Sequence, residues 1–385
     1  MAIGAGPSYR PRIAVIGAGV GGTAVARLLQ QRGYAVQLYE QAPAFDRLGA
    51  GINLAPNAVN VLKAMGIADK MISVGIPPRH WVSRTWDTGE AAFFMPLGDA
   101  AIERYGAPYL LMHRGDMQAI MTEAVAPGSI AFGKRLVELD QAGDGIRMIF
   151  ADGTSAEADM VIGADGVNSR VREILLGPEP PTYSGYVAHR AIIPRAEVGD
   201  VALDDLSKWW AEDTHLLVYF LTHEKSEVYL VTGVAEPNWP EGVSSMPGDI
   251  KELRRAFEGF HPTIQHLLSL CGHASKWPLL EREPHTLWSR GRIVLLGDAC
   301  HPMKPHMGAG AAMAIEDAAI FVRCLEATGG ADPQATYRLY EANRIERTTA
   351  VQRESHRNEF LRQPMDPAWV YGYNAMTVPL IEPNP

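Results

Sequence analysis

The chain has 385 residues, 47% hydrophobic and 21% charged, with a formal net charge of −9; this suits a globular protein of about two domains and argues against nucleic acid or an anionic membrane surface as partner, while leaving room for a local basic pocket. No apolar run reaches membrane length, and the first eleven residues lack the basic and apolar parts of a signal peptide. The three cysteines, Cys271, Cys300 and Cys324, read as small buried hydrophobes in a reducing, cytoplasmic compartment rather than as a disulfide framework.

In chain order, Ile13-Ala14-Val15-Ile16 reads as a buried parallel strand. Gly17, Gly19 and Gly22 then fall at the G-x-G-x-x-G positions, and an Ala/Leu-rich stretch to Arg32 reads as an amphipathic helix. Gly17 permits the tight turn, Gly19 a close backbone approach to a pyrophosphate, and Gly22 close packing of helix on strand; the helix N-terminus aims free N–H groups at phosphates. A second strand, Ala35 to Tyr39, ends in Glu40, 18 residues after Gly22, where an acid grips an adenosine ribose. A lone glycine triplet would say little, but the whole strand–glycines–helix–strand–acid unit specifies a dinucleotide site.

Next, a Gly49-Ala50-Gly51 bend lets backbone approach a flat ligand. Pro56 opens a helix to about Met65, with Gly66 as its stop. Residues 80–103, with Trp81, Trp86, Phe93 and Phe94, read as strands of a different layer. Tyr109 to Met112 reads as a strand, and His113-Arg114-Gly115-Asp116 leads into a helix ending near Ala124. Residues 130–162 alternate as a β-meander turning at Gly143-Asp144-Gly145 and Asp152-Gly153. They end in the buried strand Met160 to Gly163, and the loop from Ala164 to Arg172 then sits at a strand's carboxyl end, a usual ligand position in an α/β sheet.

Residues 181–240 turn to period-two stretches rich in Tyr, Trp, Val and Leu, read as an antiparallel sheet forming a second domain. Residues 248–270 read as helical, and Arg292 to Leu296 as another buried strand leading into Gly297-Asp298-Ala299-Cys300-His301-Pro302. The bend Gly308-Ala309-Gly310 opens a long helix to about Glu326, and a further helix spans about 333–361. The tail from Pro364 to Pro385 either packs through Trp369, Tyr371 and Tyr373 or frays. Buried strands near 13, 36, 160 and 293 make the first domain discontinuous.

The glycine unit, the D-G-x-x-S-x-x-R stretch of Asp165, Gly166, Ser169 and Arg172, and Gly297-Asp298 followed by Pro302 occur in that order. In this the chain, over about residues 10–350, resembles the single-component flavoprotein aromatic hydroxylases, the group of p-hydroxybenzoate and salicylate hydroxylases. The resemblance implies an α/β fold: a discontinuous Rossmann-like FAD-binding domain (1–78, 104–180 and 285–361), an inserted, mainly antiparallel substrate-binding sheet (79–103 and 181–284), and a C-terminal tail (362–385). It also implies FAD as cofactor, with NADH as a transient co-substrate, since only one dinucleotide unit is present and FAD fills it.

In that reading Gly17, Gly19, Gly21, Gly22, Glu40 and Gln41 serve the adenosine and pyrophosphate, with Arg47 and Leu136 as further cofactor contacts. Asp298 accepts from the ribityl chain, and Gly308, Gly310 and Ala311 offer helix N–H groups to the flavin pyrimidine edge, where negative charge collects on reduction. Arg114 matches the family's cofactor-contacting arginine, and Asp165 lies near the pyrophosphate. Taken singly, Asp165 reads as a helix cap and Arg172 as a surface ion pair; the joint spacing favours function.

A narrower resemblance is to a branch of that family that hydroxylates a hydroxypyridine carboxylic acid with loss of CO₂. It rests on Glu40 to Phe45, His113 to Asp116, Tyr183 to Arg190, Lys208-Trp209-Trp210, Leu296 to Met307 and Asp366 to Tyr373. It implies a small aromatic or heteroaromatic carboxylic acid and O₂ as partners, and a pocket of Asn53, His215, Tyr219, Thr232 and His306, with His215, Tyr219 and Asn53 in the catalytic roles. His215 and Tyr219, four apart in a strand segment, face one side; ordinary sheet filling is the competing reading.

Two departures stand out. Asn53 occupies a position where the branch has histidine, and Leu206 lies near an expected cysteine. Asparagine hydrogen-bonds but does not exchange protons, so either the base role moves to His215 or Tyr219 or the ring differs. His113, His189 and His301 read as structural. No H-E-x-x-H, Cys-x-x-Cys or G-x-S-x-G spacing suggests a metal site or a hydrolase. A sister hydroxylase for a benzenoid acid or another hydroxypyridine, a flavin-dependent halogenase or dehydrogenase, and a non-catalytic flavin sensor stay open, as do NADH against NADPH and a homodimer.

Overall fold

Ile13–Ile16 is buried at every residue and lies between two parallel neighbours, Val36–Tyr39 and Met160–Gly163. Ile293–Leu295 pairs in parallel beyond Met160–Gly163, and the sheet closes with Ser289–Arg290 at one edge and Ile130–Ala131 at the other. The register sets Ile16 beside Tyr39 and Gly163, and Gly163 beside Leu295. Four strands therefore end level, and the loops holding Gly17, Glu40, Asp165 and Asp298 leave from one edge, where an open parallel sheet places ligands. The computed structural model describes residues 10–383 apart from 46, 48, 49, 142 and 144, so Gly49 of the expected bend and Asp144 of the expected turn lie outside the described residues.

The helix Val20–Gln31 follows the glycine turn at once. A Cβ on Gly22 would overlap the Gly17 carbonyl, and one on Gly17 (φ 95°) would overlap Ala164; only glycine lets the three backbones meet so closely. The helix Gly310–Thr328 lies against Val20–Gln31 and Pro56–Met65 and is buried on nearly every side, as its apolar composition requires. The Pro56–Met65 helix ends on Gly66 in the left-handed conformation (φ 78°), as the sequence leads one to expect.

The second large sheet runs in the order Met246–Gly248, Ala274–Glu281, Thr182–Pro194, Glu227–Ala235, His215–Phe220, Leu206–Trp210, His80–Thr85, Ala91–Pro96. Its pairs are antiparallel except Leu206–Trp210 with His80–Thr85, which run parallel. That pairing joins residues 80–96 to the later strands and leaves the sheet mainly antiparallel, as expected. Other elements also depart from expectation. Gly98–Tyr105 is helical, Ile130–Ala131 leaves the meander to edge the parallel sheet, and Ala274–Glu281 is a strand the sequence reading passes over. In the tail Tyr371 is buried, Tyr373 stacks under the Arg347 guanidinium at 3.7 Å, and Trp369 points outward.

Cross-strand partners share a face of a sheet. Trp210, Lys208 and Leu206 stand opposite His215, Leu217 and Tyr219, which stand opposite Gly233, Val231 and Tyr229. Arg190 in turn faces Val231. One face thus carries these side chains together, whereas Thr232, opposite Leu216, belongs to the other face.

Two adjacent acids, Glu316 and Asp317, sit fully buried in the long helix. Asp317 accepts from the Gly297 N–H (3.0 Å), from His301 Nε2 (2.6 Å) and from Arg344 Nε (2.6 Å). Glu316 accepts from Arg344 and Arg347 and from Asn57 Nδ2 (2.6 Å). Removing one member leaves buried charge without a partner. Arg344→Met should therefore lower unfolding free energy by about 3–5 kcal/mol, read from urea denaturation of the purified protein; a midpoint equal to the parent's would show that the cluster does not hold the fold.

Candidate active site

A cavity of ≈ 340 Å³ opens between the shared sheet face and the level strand ends. Leu217, Tyr219, Tyr229, Val231 and Arg190 form one wall, and Ala50 to Asn53 with Arg114 another. Gly19, Gly21, Asp298, Gly308, Gly310 and Ala311 form the third. A second cavity, ≈ 230 Å³, is lined by Gly17, Tyr39, Glu40, Gln41, Leu136 and Asp165. Both reach Gly19, Ala164 and Gly166, so an elongated ligand can run from Glu40 to Asp298 past the glycine turn. A Cβ on Gly19 would meet nothing within 4 Å, which leaves its backbone accessible where the two cavities join.

Each loop at that junction is held from behind. Glu40 accepts from the Ala18 and Ala42 N–H groups, both at 2.9 Å, and so ties the second strand to the glycine turn. Asp165 accepts from Ser169 Oγ (2.5 Å) and from the N–H groups of Arg170 (2.7 Å) and Val171 (3.1 Å). It is a helix cap that also lines the second cavity. Arg172 is not a surface ion pair: its side chain is buried, pairs with Glu179 at 2.8 Å, and reaches the carbonyls of Ala299 and Cys300 at 3.4 Å. It thereby fastens the Asp165 loop to the Asp298 loop.

Asp298 lines the cavity and is open to it; desolvation by the surrounding walls raises its carboxyl above the usual range, opposed by His301 and Arg114. Arg114 lines the same space, with burial and Arg190 lowering its pKa while Asp298 and Tyr229 oppose. The helix Gly310–Thr328 begins at the wall, so its first N–H groups and the positive end of its dipole serve the cavity. Arg47 lines neither cavity; it bridges Asp116 (2.9 Å) and Glu227 (3.2 Å), joining the helix at Arg114 to the large sheet.

On the sheet side, Tyr219 rests against Gly51, where a Cβ would overlap its hydroxyl, and meets Tyr229 edge-on at 5.1 Å. Burial holds the Tyr219 hydroxyl well above its ordinary pKa, so it stays protonated and can donate. Asn53 lines the cavity with its amide against Gly308 (φ 64°). His215 sits one pleat beyond Leu217 on the same face, with His306 edge-on at 5.3 Å; neither imidazole borders the main cavity. Thr232 turns away: its Oγ1 accepts from the His189 N–H (2.9 Å) on the opposite face. The structure thus gathers Asn53 and Tyr219 at the cavity, sets His215 and His306 beside it, and places Thr232 behind the sheet, because the strand register fixes which side a residue faces.

Arg190 receives no role in the sequence reading, although a charge within a thirteen-residue strand is an available signal. The buried cluster around Asp317 is likewise missed. Cys300, His301 and Asp317 bring three ligand-type atoms within 4.8 Å of one another, but His301 and Asp317 are already bonded to each other and Arg344 takes the second carboxylate oxygen. All three cysteines are buried and unpaired. No helix among the described residues is long and apolar enough to cross a membrane.

Comparison with known proteins bears directly on this geometry. The FAD binding domain family matches residues 10–355. The 6-hydroxynicotinate 3-monooxygenase of Bordetella bronchiseptica is 54% identical, with 97% of this chain and 98% of that protein covered. The enzyme of the same name from Pseudomonas fluorescens is 52% identical, with 98% of each covered. Among solved structures, Klebsiella pneumoniae HpxO complexed with FAD and uric acid superposes with a TM-score of 0.80 at 29% identity, covering 91% of this chain and 89% of that one.

Two buried imidazoles predict a pH response. Burial, aided by Lys276, holds His189 down to about 4, and burial aided by Lys208 holds His306 down to about 3, against 6.5 ordinarily. The unfolded chain therefore binds protons that the folded chain refuses. Stability is full above 6.5 and falls as pH drops toward 4 and then 3. His189→Gln should flatten the upper part of that loss, seen in denaturation midpoints across the range; an unchanged slope would mean that His189 titrates normally.

Proposed function

The chain belongs to the FAD binding domain family and is an FAD-dependent aromatic monooxygenase; from that premise we propose that its substrate is 6-hydroxynicotinate. The reaction is decarboxylative hydroxylation in nicotinate breakdown: 6-hydroxynicotinate, O₂, NADH and two protons give 2,5-dihydroxypyridine, CO₂, NAD⁺ and water. What supports the reading is the near-full-length likeness to two enzymes of that name. A cavity with two guanidinium groups, Arg114 and Arg190, suits an anionic ring.

The residues fit FAD by their donors and by the glycine backbones that border both cavities. The turn at Gly17 to Gly22 and the N-terminus of Val20–Gln31 would hold the pyrophosphate, Glu40 the adenosine ribose and Asp298 the ribityl chain. Bound and reduced, FAD supplies activated oxygen. The start of Gly310–Thr328 would stabilise negative charge on the reduced cofactor. Tyr219 lies on the wall where its O–H can donate to the ring oxygen, so it polarises rather than abstracts. Asn53 can fix a ring substituent by hydrogen bonding only. The apolar wall of Leu217, Val231 and Tyr229 keeps water from the oxygen chemistry.

A second reading, a related ring acid such as salicylate or another hydroxypyridine, draws on Asn53 and on Leu206, which is buried directly opposite Tyr219. Substrate-stimulated NADH oxidation over a small panel separates the two. Mass-spectrometric detection of 2,5-dihydroxypyridine from 6-hydroxynicotinate, NADH and O₂ is the expected result, and its absence would remove this assignment. Tyr219→Phe should slow turnover on the order of 100-fold and raise peroxide released per NADH. Parent-level rate and coupling would end the role given to that hydroxyl.

A further inference from the structure

Beside the ring wall lies a buried polar chain with no role so far. Lys208, on the cavity face of the sheet and almost wholly buried, sets its Nζ 2.9 Å from Asn358 Oδ1, 3.4 Å from the His306 carbonyl and 3.8 Å from the Trp210 ring centre. Asn358 follows the helix Pro333–Arg357 in the left-handed region, φ 54°. Its Nδ2 lies 3.3 Å from His215 Nδ1.

The direction of each bond follows from donor chemistry. Both oxygens near Lys208 are acceptors, so the lysine nitrogen donates to them, charged or neutral. That commits the amide oxygen of Asn358 to Lys208 and turns its NH₂ toward His215. An NH₂ group only donates, so His215 Nδ1 accepts and carries no proton. We propose that Asn358, oriented by Lys208, is a positioning residue that locks His215 in the tautomer protonated at Nε2.

His306 is held in the opposite tautomer: its Nδ1 lies 3.0 Å from the Ser355 carbonyl, which can only accept, and its Nε2 is buried without a partner. The titratable and charged groups facing His215 are Lys208, His306 and Arg362. Burial first, then Lys208, His306 and Arg362, disfavours the protonated form and keeps the imidazole neutral. His215 therefore offers a hydrogen bond from Nε2 and is not the base. Only the consequence for turnover rests on the proposed function; the tautomer itself does not.

An asparagine after a helix can be retained merely because it tolerates the left-handed conformation. Two substitutions separate that role from the lock. Asn358→Gly keeps the conformation and removes the amide, and Asn358→Asp keeps it and reverses the hydrogen bond. The readout is ¹⁵N NMR of histidine-labelled, FAD-loaded full-length protein, with His215→Gln to assign the signal. The parent should show a neutral His215 protonated at Nε2 at neutral and mildly alkaline pH. Asn358→Asp should move the proton to Nδ1, add an ionisation to the pH–rate profile, and slow turnover of 6-hydroxynicotinate on the order of tenfold. Asn358→Gly and Lys208→Met should give mixed tautomers, the glycine variant with a denaturation midpoint near the parent's.

A parent His215 protonated at Nδ1, or doubly protonated, would overturn the proposal even if no variant folds; so would an Asn358→Asp protein with the parent tautomer. If the substrate assignment alone is wrong, the tautomers behave as stated while 6-hydroxynicotinate yields no product.

Discussion

The parallel-sheet side of the cavity depends on one carboxylate. Asp317, inside a helix that is buried on nearly every side, takes the Gly297 N–H, the His301 ring and the Arg344 guanidinium at once. Burial alone would raise its pKa, yet His301 and Arg344 bring it down to about 2, so it stays charged. A charge in that position is tolerated only with all its partners in place. The residue after Gly297 is Asp298, and the helix that carries Asp317 begins at the cavity wall with Gly310. Asp298 and the start of that helix, both on the cavity wall, are therefore set by the same buried ion.

From the other side the large sheet supplies one wall of the cavity. Its contribution is a matter of parity: Leu217 and Tyr219 point to the cavity because they stand opposite Val231 and Tyr229, and their neighbours point away. Close approach is arranged by omission, as at Gly51, which gives room to the Tyr219 hydroxyl, and at Gly233, where a Cβ would overlap the His215 ring. The two halves are pinned by Arg47 between Asp116 and Glu227.

The chemistry this wall supports is one of neutral donors beside fixed cations. Tyr219 is held protonated and His215 uncharged, both by burial, while Arg114, Arg190 and Lys304 line the cavity. Such a site presents hydrogen-bond donors that do not titrate near neutral pH. It fits a protein in which the cofactor brings the reactive oxygen and the chain brings geometry and dryness.

Local rules made much of this legible from the residues. The glycine spacing, the acid after the second strand, the short β-branched runs and the αL stop at Gly66 each follow from backbone sterics within a few residues, and they were enough to indicate a nucleotide-binding α/β sheet. Thr232 against Tyr219 shows where that reasoning stops. Both sit in period-two runs, and only the register between strands distant in sequence decides which of them faces the ring. The burial of Arg172, the parallel pairing of Leu206–Trp210 with His80–Thr85, and the Lys208–Asn358–His215 chain are of the same kind. The backbone turns and the cofactor class could be read from the residues alone, because they depend on neighbours close together in the chain. The orientation of the ring pocket and the protonation of its side chains were decided by tertiary packing, since desolvation and hydrogen-bond partners come from segments more than a hundred residues apart, as Asn358 and His215 are.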